Sequence, residues 1–324
     1  IVTINGTKLT AGTDYTAEPS AENGPTKESN GTFSVTEPGT YTVTVTGTGN
    51  YNGTVEKTFT VGKASLKNAD VGAITPVNYD GTAKTLKPTV TFNGITLTEA
   101  DYELSYSNNT NVGTATITIT AKTGSAHFTG STSTTFMITA VRIDTNKEIK
   151  VATIPDQVYN AQPLEPAVTV KFGDKTLVKG TDYTVTYKNN TNASGGTTAS
   201  AIITGTGNFT NTKEVTFNIR RANLNLPSEN PVLTHVYTET GTKTYTLPSN
   251  MFLANETNKS FTIENVGCTN NDIFKVAPHA SEDGTVEYEL NGEKGEAIAQ
   301  ISIKPNSNYN SGLLSIEIKV VDKT

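Results

Sequence analysis

The side chains best suited to chemistry in this chain are three histidines and one cysteine. His127, His235 and His279 are the only histidines, and Cys268 is the only cysteine. Histidine serves as a catalytic base or metal ligand, and a cysteine beside a histidine can act as a nucleophile. None of these four residues stands at the short spacing that such sites use. We therefore expect satisfied or exposed histidines, a small buried cysteine, and no catalytic, cofactor-binding or metal-ligating residue.

Carboxylates in the last third of the chain are the second group with chemical potential. Asp272, Glu282 and Asp283 could supply oxygen ligands to calcium, but the spacing of an EF-hand loop is absent. No cofactor is expected, and calcium is the one ion that the chain could hold. Any two carboxylates could also meet in space as a glycosidase pair, yet nothing singles one out. The chain is therefore not expected to be an enzyme.

Two other kinds of site are disfavoured by the sequence. The glycines of Gly47-Thr48-Gly49 fall between predicted strands, which makes this stretch a turn and not a phosphate-binding loop. The chain has no tryptophan. Large aromatic platforms for stacking on carbohydrate are therefore missing, although tyrosine could replace them.

Composition excludes several classes of protein. The net charge is −6, and hydrophobic and charged residues make up only 34% and 17% of the chain. Without a cluster of lysine and arginine, binding to nucleic acid is not expected. No apolar run reaches the length of a membrane span, so membrane insertion is not expected either. Threonine is abundant and helix-forming residues are scarce, which favours an all-β fold.

An Asp-Tyr pair recurs along the chain and sets its organisation. Asp14-Tyr15, Asp101-Tyr102 and Asp182-Tyr183 are separated by 87 and 81 positions, counted between the aspartates. A repeat of this length is typical of an array of domains. In each copy we expect the aspartate to cap a turn and the tyrosine to begin a core-facing strand. The alternative is that Tyr102 and Tyr183 contact a ligand.

The repeat divides the chain into four expected domains. Residues 1–62 are expected to form a partial or N-terminally truncated repeat, because this unit lacks about twenty residues at its front that its neighbours have. Residues 63–140 and 141–220 carry the full unit of six or seven short strands, which is typical of a β-sandwich. Residues 221–324 lack the Asp-Tyr pair and are predicted to form a divergent sandwich. Because the connections are short, the array should be extended and fairly stiff.

Alternation of apolar and polar residues predicts individual strands within these domains. The clearest examples are 41–46, 114–120 and 315–320, and shorter ones are predicted at 236–238 and 260–263. The stretch from Gly195 to Ile203 is predicted to form the long strand of the third domain. Asn5-Gly6 and Asn93-Gly94 are predicted to form the tight turns of two hairpins, because an Asn-Gly pair readily adopts the positive φ angles of such a turn.

Four motifs in residues 1–220 resemble a known family. They are Asn78-Tyr79-Asp80-Gly81, Gly180-Thr181-Asp182-Tyr183, Asn189-Asn190-Thr191-Asn192 and Gly205-Thr206-Gly207-Asn208-Phe209. The sequence is similar to the tandem immunoglobulin-like repeats of large bacterial cell-surface and secreted proteins. The resemblance implies immunoglobulin-like folds used as stalks or adhesive spacers. It does not extend to residues 221–324.

The resemblance also raises the alternative of an isopeptide crosslink, which some surface domains form between lysine and asparagine beside a buried acid. Lys57, Lys213 and Asn218 lie on or beside the closing strands, with Glu56 and Glu214 next to the lysines. Alternation makes the two lysines solvated edge charges instead, which is the interpretation we favour.

The sequence therefore predicts a non-catalytic structural or adhesive module of a bacterial surface or secreted protein, which presents a terminal domain. The expected location is extracellular or at the cell surface, and the expected state is a monomer. The alternative is a module that binds a host or cell-surface glycan or protein through residues 221–324, because function tends to lie where an array is interrupted. An accessory part of a surface enzyme is the least favoured hypothesis.

Overall fold

The computed structural model describes residues 1–21, 24–194, 198–280 and 285–322, without the side chains of 265–266 and 274–280. Strands dominate, and one short 3-10 turn occurs at Leu66–Asn68. The described residues include no helix of the length and apolarity that crossing a lipid bilayer requires. The chain separates into two compact units, Ile1–Val141 and Arg142–Thr324.

The first segment of unit one, residues 1–62, has a three-stranded sheet and two small hairpins. Its strands are β1 (Thr3–Ile4), β2 (Thr7–Lys8), β3 (Tyr15–Pro19), β4 (Thr26–Lys27), β5 (Phe33–Ser34), β6 (Gly39–Gly47) and β7 (Thr54–Val61). The sheet has the order β3-β6-β7 and is antiparallel throughout. Among the described apolar side chains of this segment, only Leu9, Pro25 and Val43 are buried. The core of this segment is therefore thin.

The second segment of unit one has two sheets that share a core. Its strands are β8 (Ala64–Ser65), β9 (Asp70–Val71), β10 (Val77–Asn78), β11 (Val90–Phe92), β12 (Ile95–Thr96), β13 (Tyr102–Ser107), β14 (Gly113–Ala121), β15 (Phe128–Thr129) and β16 (Ser131–Thr139). One sheet has the order β10-β16-β14-β13 and the other β12-β11-β9. Alternate residues of β14 and β16 point inward, so that Ile117, Ile119 and Ile138 are completely buried. This arrangement is an immunoglobulin-like sandwich.

The first segment of unit two repeats this plan. Its strands are β17 (Val141–Arg142), β18 (Ile149–Val151), β19 (Gln157–Val158), β20 (Val170–Phe172), β21 (Lys175–Thr176), β22 (Tyr183–Lys188), β23 (Ala199–Gly205), β24 (Phe209–Thr210), β25 (Thr212–Phe217) and β26 (Ile219–Arg220). Strand β17 pairs with β24. The sheets are β18-β20-β21 and β22-β23-β25, with β19 and β26 paired in parallel. The long strand predicted here begins at Ala199, and residues 195–197 lie outside the described part of the chain.

The last segment is a larger sandwich of two sheets. Its strands are β27 (Val232–Val236), β28 (Gly241–Thr246), β29 (Phe261–Cys268), β30 (Phe274–Ala280), β31 (Thr285–Leu290), β32 (Gly295–Pro305) and β33 (Gly312–Val321). The sheets are β27-β33-β32-β29 and β28-β31-β30. The strand predicted at 236–238 instead ends at Val236, because pairing with β33 fixes its position and Glu239 N donates to Val236 O in a turn.

The predicted fold class, all-β with immunoglobulin-like sandwiches in tandem, is confirmed by these sheets. The division into four domains stays a prediction, since the chain separates into two compact units whose boundary lies at 141/142.

Candidate functional site

The recurring aspartates cap turns, as the structural interpretation expects. In each copy a carboxylate oxygen accepts the backbone N–H of a residue three or four positions earlier. The pairs are Asp14 with Thr10 at 2.8 Å, Asp101 with Thr98 at 2.9 Å, and Asp182 with Val178 at 2.9 Å.

The tyrosines of the second and third copies are core residues. Tyr102 and Tyr183 are 7% and 3% exposed. Tyr183 Oη donates to Val168 O at 2.8 Å, which satisfies the hydroxyl inside the sandwich. Because both rings are buried, neither tyrosine can present its ring to a ligand. The structure therefore favours the structural role over ligand contact for both.

Two of the histidines take part in local side-chain contacts. His127 Nδ1 lies 2.8 Å from Glu37 Oε2 at an exposed position. His235 is half-buried, with Nδ1 3.2 Å from Glu239 Oε2 and Nε2 2.8 Å from Tyr288 Oη. His235 therefore links the turn after β27 to strand β31 of the opposite sheet.

The remaining candidates do not assemble a reactive centre among the described side chains. Cys268 is half-buried, its Sγ accepts from Asn270 N at 3.3 Å, and burial raises the pKa of the thiol. A raised pKa disfavours the thiolate that a nucleophile needs. Asp272 is exposed, whereas Glu282, Asp283 and the side chain of His279 lie outside the described residues. Within the described part of the chain, no three His, Cys, Asp or Glu side chains form a metal-binding group.

The residues considered for an isopeptide crosslink are also separated. Lys57 is exposed on β7, and Lys213 is half-buried on β25. The acid beside Lys213 is already engaged, because Ser200 Oγ donates to Glu214 Oε1 at 2.5 Å. Asn218 is exposed and lies beyond the end of β25. This placement does not bring a lysine, an asparagine and a buried acid together.

A buried polar contact inside unit two is the best-defined chemical feature of the described structure. Tyr159 Oη donates to Glu256 Oε2 at 2.6 Å, and the two residues are 5% and 7% exposed. Tyr159 follows β19 in the first segment of unit two, which is the third repeat (residues 141–220), and Glu256 belongs to the last segment. The second oxygen, Glu256 Oε1, accepts from Asn258 N at 2.7 Å. We call this contact and its neighbours the Tyr159–Glu256 junction.

Aromatic rings pack around this hydrogen bond. Tyr309 is 2% exposed, and its ring meets Tyr159 edge to face with centroids 5.5 Å apart. The same ring meets Phe252 edge to face at 5.1 Å. The Tyr309 hydroxyl accepts from Leu253 N at 3.2 Å. Edge-to-face pairs of this kind stabilise by about 0.5–1.5 kcal/mol beyond the burial of their area.

Asn308 joins the same two segments through three hydrogen bonds. Its Oδ1 accepts from Ala193 N at 2.9 Å, and its Nδ2 donates to Asn192 Oδ1 at 3.2 Å. Its backbone carbonyl accepts from Ala222 N at 2.9 Å, directly after the third repeat ends. The junction therefore combines a charged hydrogen bond, packed rings and an amide that bridges both sides.

The electrostatics of the junction follow from burial and hydrogen bonding. Burial, reinforced by the Glu256 carboxylate, raises the pKa of Tyr159 far above its usual range, so its hydroxyl remains a donor. Burial pushes the pKa of Glu256 upward, but hydrogen bonds from Tyr159 and backbone amides outweigh it, and the net pKa is lowered. Glu256 is therefore an ion at neutral pH, and its charge is held by donors on both oxygens.

These residues were not predicted from the sequence, although a signal for Tyr309 was present. The turn before β33 reads Asn308-Tyr309, as the earlier turns read Asn50-Tyr51 and Asn208-Phe209. All three turns close with the same hydrogen bond, from the aromatic residue's N–H to the carbonyl three positions earlier, at 3.1–3.2 Å. Glu256 had no comparable signal, since its partner is 97 positions away.

Comparisons with known proteins return only distant structural likeness. No protein-family model matches the chain, and no curated protein matches it. Among solved structures, an I-band fragment of titin is 8% identical with a TM-score of 0.30, covering 79% of this chain and 98% of the fragment. Domains 1–6 of the surface layer protein SbsC are 16% identical with a TM-score of 0.24, and the match covers 96% of this chain and 50% of the SbsC chain. Drosophila N-cadherin EC1–4 is 12% identical with a TM-score of 0.21, and the match covers 96% of this chain and 93% of the cadherin chain. Likeness at this level carries no argument about function.

Proposed function

We propose that this chain is a non-catalytic structural module of a bacterial surface or secreted protein, which holds its last segment in a fixed position for presentation. The observation that carries the proposal is the Tyr159–Glu256 junction. A spacer must fix the orientation of one domain relative to the next, and a buried junction without a flexible linker does that.

The physical strength of the junction supports a mechanical role. A buried hydrogen bond to a carboxylate is short and directional, and a hydrogen bond to a charged group contributes about 1.5–3 kcal/mol to stability. Asn308 adds directional bonds to backbone and side chain across the same contact. A hinge motion would have to break these contacts together, so the third repeat and the last segment should move as one body.

The placement of titratable groups supports a role without catalysis. Catalytic sites collect groups with shifted pKa values in an accessible cleft. Here Tyr159, Glu256 and Tyr309 share one cluster, but each is buried against protein and occupied by an internal partner. A substrate could reach none of these polar atoms without opening the junction.

Distances between spin labels on the two sides of the junction test this proposal. In the full chain with Cys268→Ser, Lys179→Cys and Glu293→Cys carry labels at exposed positions of the third repeat and last segment. Pulsed dipolar spectroscopy should give a narrow distance distribution. Adding Tyr159→Phe and Asn308→Ala should broaden it, because the carboxylate then loses its side-chain donor and the amide bridge is gone.

The matched control is Tyr187→Phe. Tyr187 Oη donates to Pro166 O at 2.6 Å within the third repeat, so this change removes a comparable hydrogen bond away from the junction. The distribution should stay narrow. A broad distribution in the chain with an intact junction would show a free hinge and would refute a positioning role.

A further inference from the structure

The arginines of the chain are concentrated at one place on unit two. The sequence has only three, Arg142, Arg220 and Arg221. The last two line an open cavity of about 560 Å³, where the end of the third repeat meets the last segment. No aspartate or glutamate is among the described residues that line it, although the net charge of the chain is −6. Its volume falls within the range of small-ligand sites, about 300–1,000 Å³.

Both guanidinium groups of the cavity keep donors that the protein does not use. Arg221 is exposed and has no ion-pair partner among the described residues. Arg220 Nε donates to Asp156 Oδ2 at 3.1 Å, and this exposed pair leaves both Nη atoms without a hydrogen bond to a described residue. The paired donors of a guanidinium match the oxygens of a carboxylate or sulfate. Because Asp156 balances only one of the two cations, the cavity keeps a positive charge.

Neutral hydrogen-bonding groups lie beside the arginines. Asn310 Nδ2 donates to Asn223 Oδ1 at 2.9 Å. Within the described part of the chain, this bond leaves Asn310 Oδ1 as an unused acceptor and Asn223 Nδ2 as an unused donor. A donor and an acceptor on adjacent amides suit the neighbouring hydroxyls of a sugar ring. Val158, which is 56% exposed on the same lining, offers an apolar contact to the C–H groups of such a ring.

The walls of the cavity are held by hydrogen bonds to the backbone. On the side of the third repeat, Ser194 N donates to Ile219 O at 2.8 Å, and Ile219 N donates to Ser194 Oγ at 3.0 Å. On the side of the last segment, Asn310 N donates to Ala222 O at 2.8 Å. A ligand therefore meets a preformed surface, and little binding free energy is lost to ordering of the backbone.

We propose that this cavity binds an acidic saccharide, with the arginines on its carboxylate or sulfate group and the amides of Asn223 and Asn310 on its hydroxyls. This ligand goes beyond the spacer role, since it contacts both segments of unit two. A nucleic acid is disfavoured, because no aromatic residue among the described lining can stack on a base. An acidic peptide is disfavoured as well, because peptides anchor through apolar side chains and Val158 is the only exposed apolar residue of the described lining.

Calorimetric titration of the full chain at physiological ionic strength tests the proposal. Trigalacturonate offers carboxylates only, and a chondroitin sulfate tetrasaccharide offers sulfate groups as well. At least one of them should bind saturably at one site per chain, and the tighter ligand identifies the anionic group. Methyl-esterified trigalacturonate has the same rings without the charge, so it should bind at least about tenfold more weakly than trigalacturonate.

Matched substitutions locate the site. Arg221→Gln removes a cation, and Asn223→Asp adds an anion while it keeps the acceptor for Asn310 Nδ2. Each should weaken binding of the acidic saccharide by at least about tenfold. Arg142→Gln makes the same change in net charge outside the cavity lining, so it should leave the affinity unchanged. Urea unfolding of each variant checks that the fold is intact.

Four outcomes would overturn the proposal. The first two are no saturable binding of either acidic saccharide, and binding of the methyl ester as tight as that of the free acid. An equal loss of affinity in Arg142→Gln and Arg221→Gln would show that net charge, and not this cavity, attracts the ligand. Binding of hexaglutamate as tight as that of trigalacturonate would assign the cavity to an acidic peptide instead.

Discussion

Glu256 is a carboxylate of the kind that acid–base catalysis uses, yet its surroundings give it a structural role. It is 7% exposed, one oxygen accepts from Tyr159 at 2.6 Å, and the other accepts from Asn258 N at 2.7 Å. Both oxygens are therefore occupied, and protonation would remove an acceptor that these donors need. Burial likewise makes Cys268 a poor nucleophile, because it raises the pKa of the thiol and disfavours the reactive thiolate.

Stability of unit two should fall in acid because of Glu256. Its pKa is lowered in the folded state from the ordinary 4.5, so ionisation favours folding. The contribution is complete above pH 4.5 and is lost as pH falls through the lower folded pKa. Urea unfolding at a series of pH values should show this loss in the natural chain and a smaller loss in Glu256→Gln.

The comparison between the two proteins cancels the acid sensitivity of all other carboxylates. Glu256→Gln keeps the shape of the side chain and an acceptor for Tyr159, but it cannot titrate. Identical pH profiles would show that the charge of Glu256 contributes nothing to folding.

At the scale of elements, the tight turns followed from the sequence. The hairpins at Asn5-Gly6 and Asn93-Gly94 have φ angles of 49° and 81°, and of 50° and 79°. Positive φ at both central residues is the geometry that an Asn-Gly pair favours. The turn fixes the register of β11 against β12, so that Phe92 is opposite Ile95.

Gly94→Ala should destabilise unit one by about 1–2 kcal/mol, because a Cβ disfavours the left-handed conformation. Gly72→Ala is the matched control, since Gly72 has no left-handed φ and an added Cβ would make ordinary contacts of 3.5 Å with Thr89. Chemical denaturation monitored by tyrosine fluorescence measures both. Equal effects of the two substitutions would show that the turn conformation is not the cause.

The last segment shows where prediction of elements failed. Its long strands β32 and β33 alternate clearly, and residues 315–320 were correctly predicted as a strand. The strand predicted at 236–238 was placed too late, because pairing with β33 and not local alternation decides where β27 ends. The turn at Tyr309 was not predicted, because the Asp-Tyr pair that marks the repeats is absent from this segment.

At the scale of the whole molecule, the two compact units should unfold separately. Unit two contains the Tyr159–Glu256 junction, so its two segments should melt together. In unit one, by contrast, the first segment has only a thin hydrophobic core. Calorimetry of the full chain should show at least two transitions. Tyr159→Phe should lower the transition of residues 142–324 and leave that of residues 1–141 unchanged.

Partial proteolysis assigns the transitions, since fragments that survive heating to an intermediate temperature identify the stable unit. A shift of every transition by Tyr159→Phe would contradict two independent units.

The extended, stiff array predicted from the short connections stays a prediction, which small-angle scattering of the full chain tests.

The sequence by itself determined the local features of this protein. Alternation, Asn-Gly turns and the repeated Asp-Tyr pair act between residues close in the chain, so they predicted an all-β fold, the hairpins and the capping aspartates. Only the tertiary structure decided which of the polar residues meet. Tyr159 and Glu256 are 97 positions apart, and Asn308 reaches Ala193 across 115. Such pairs depend on how completed sheets pack, which no local pattern encodes.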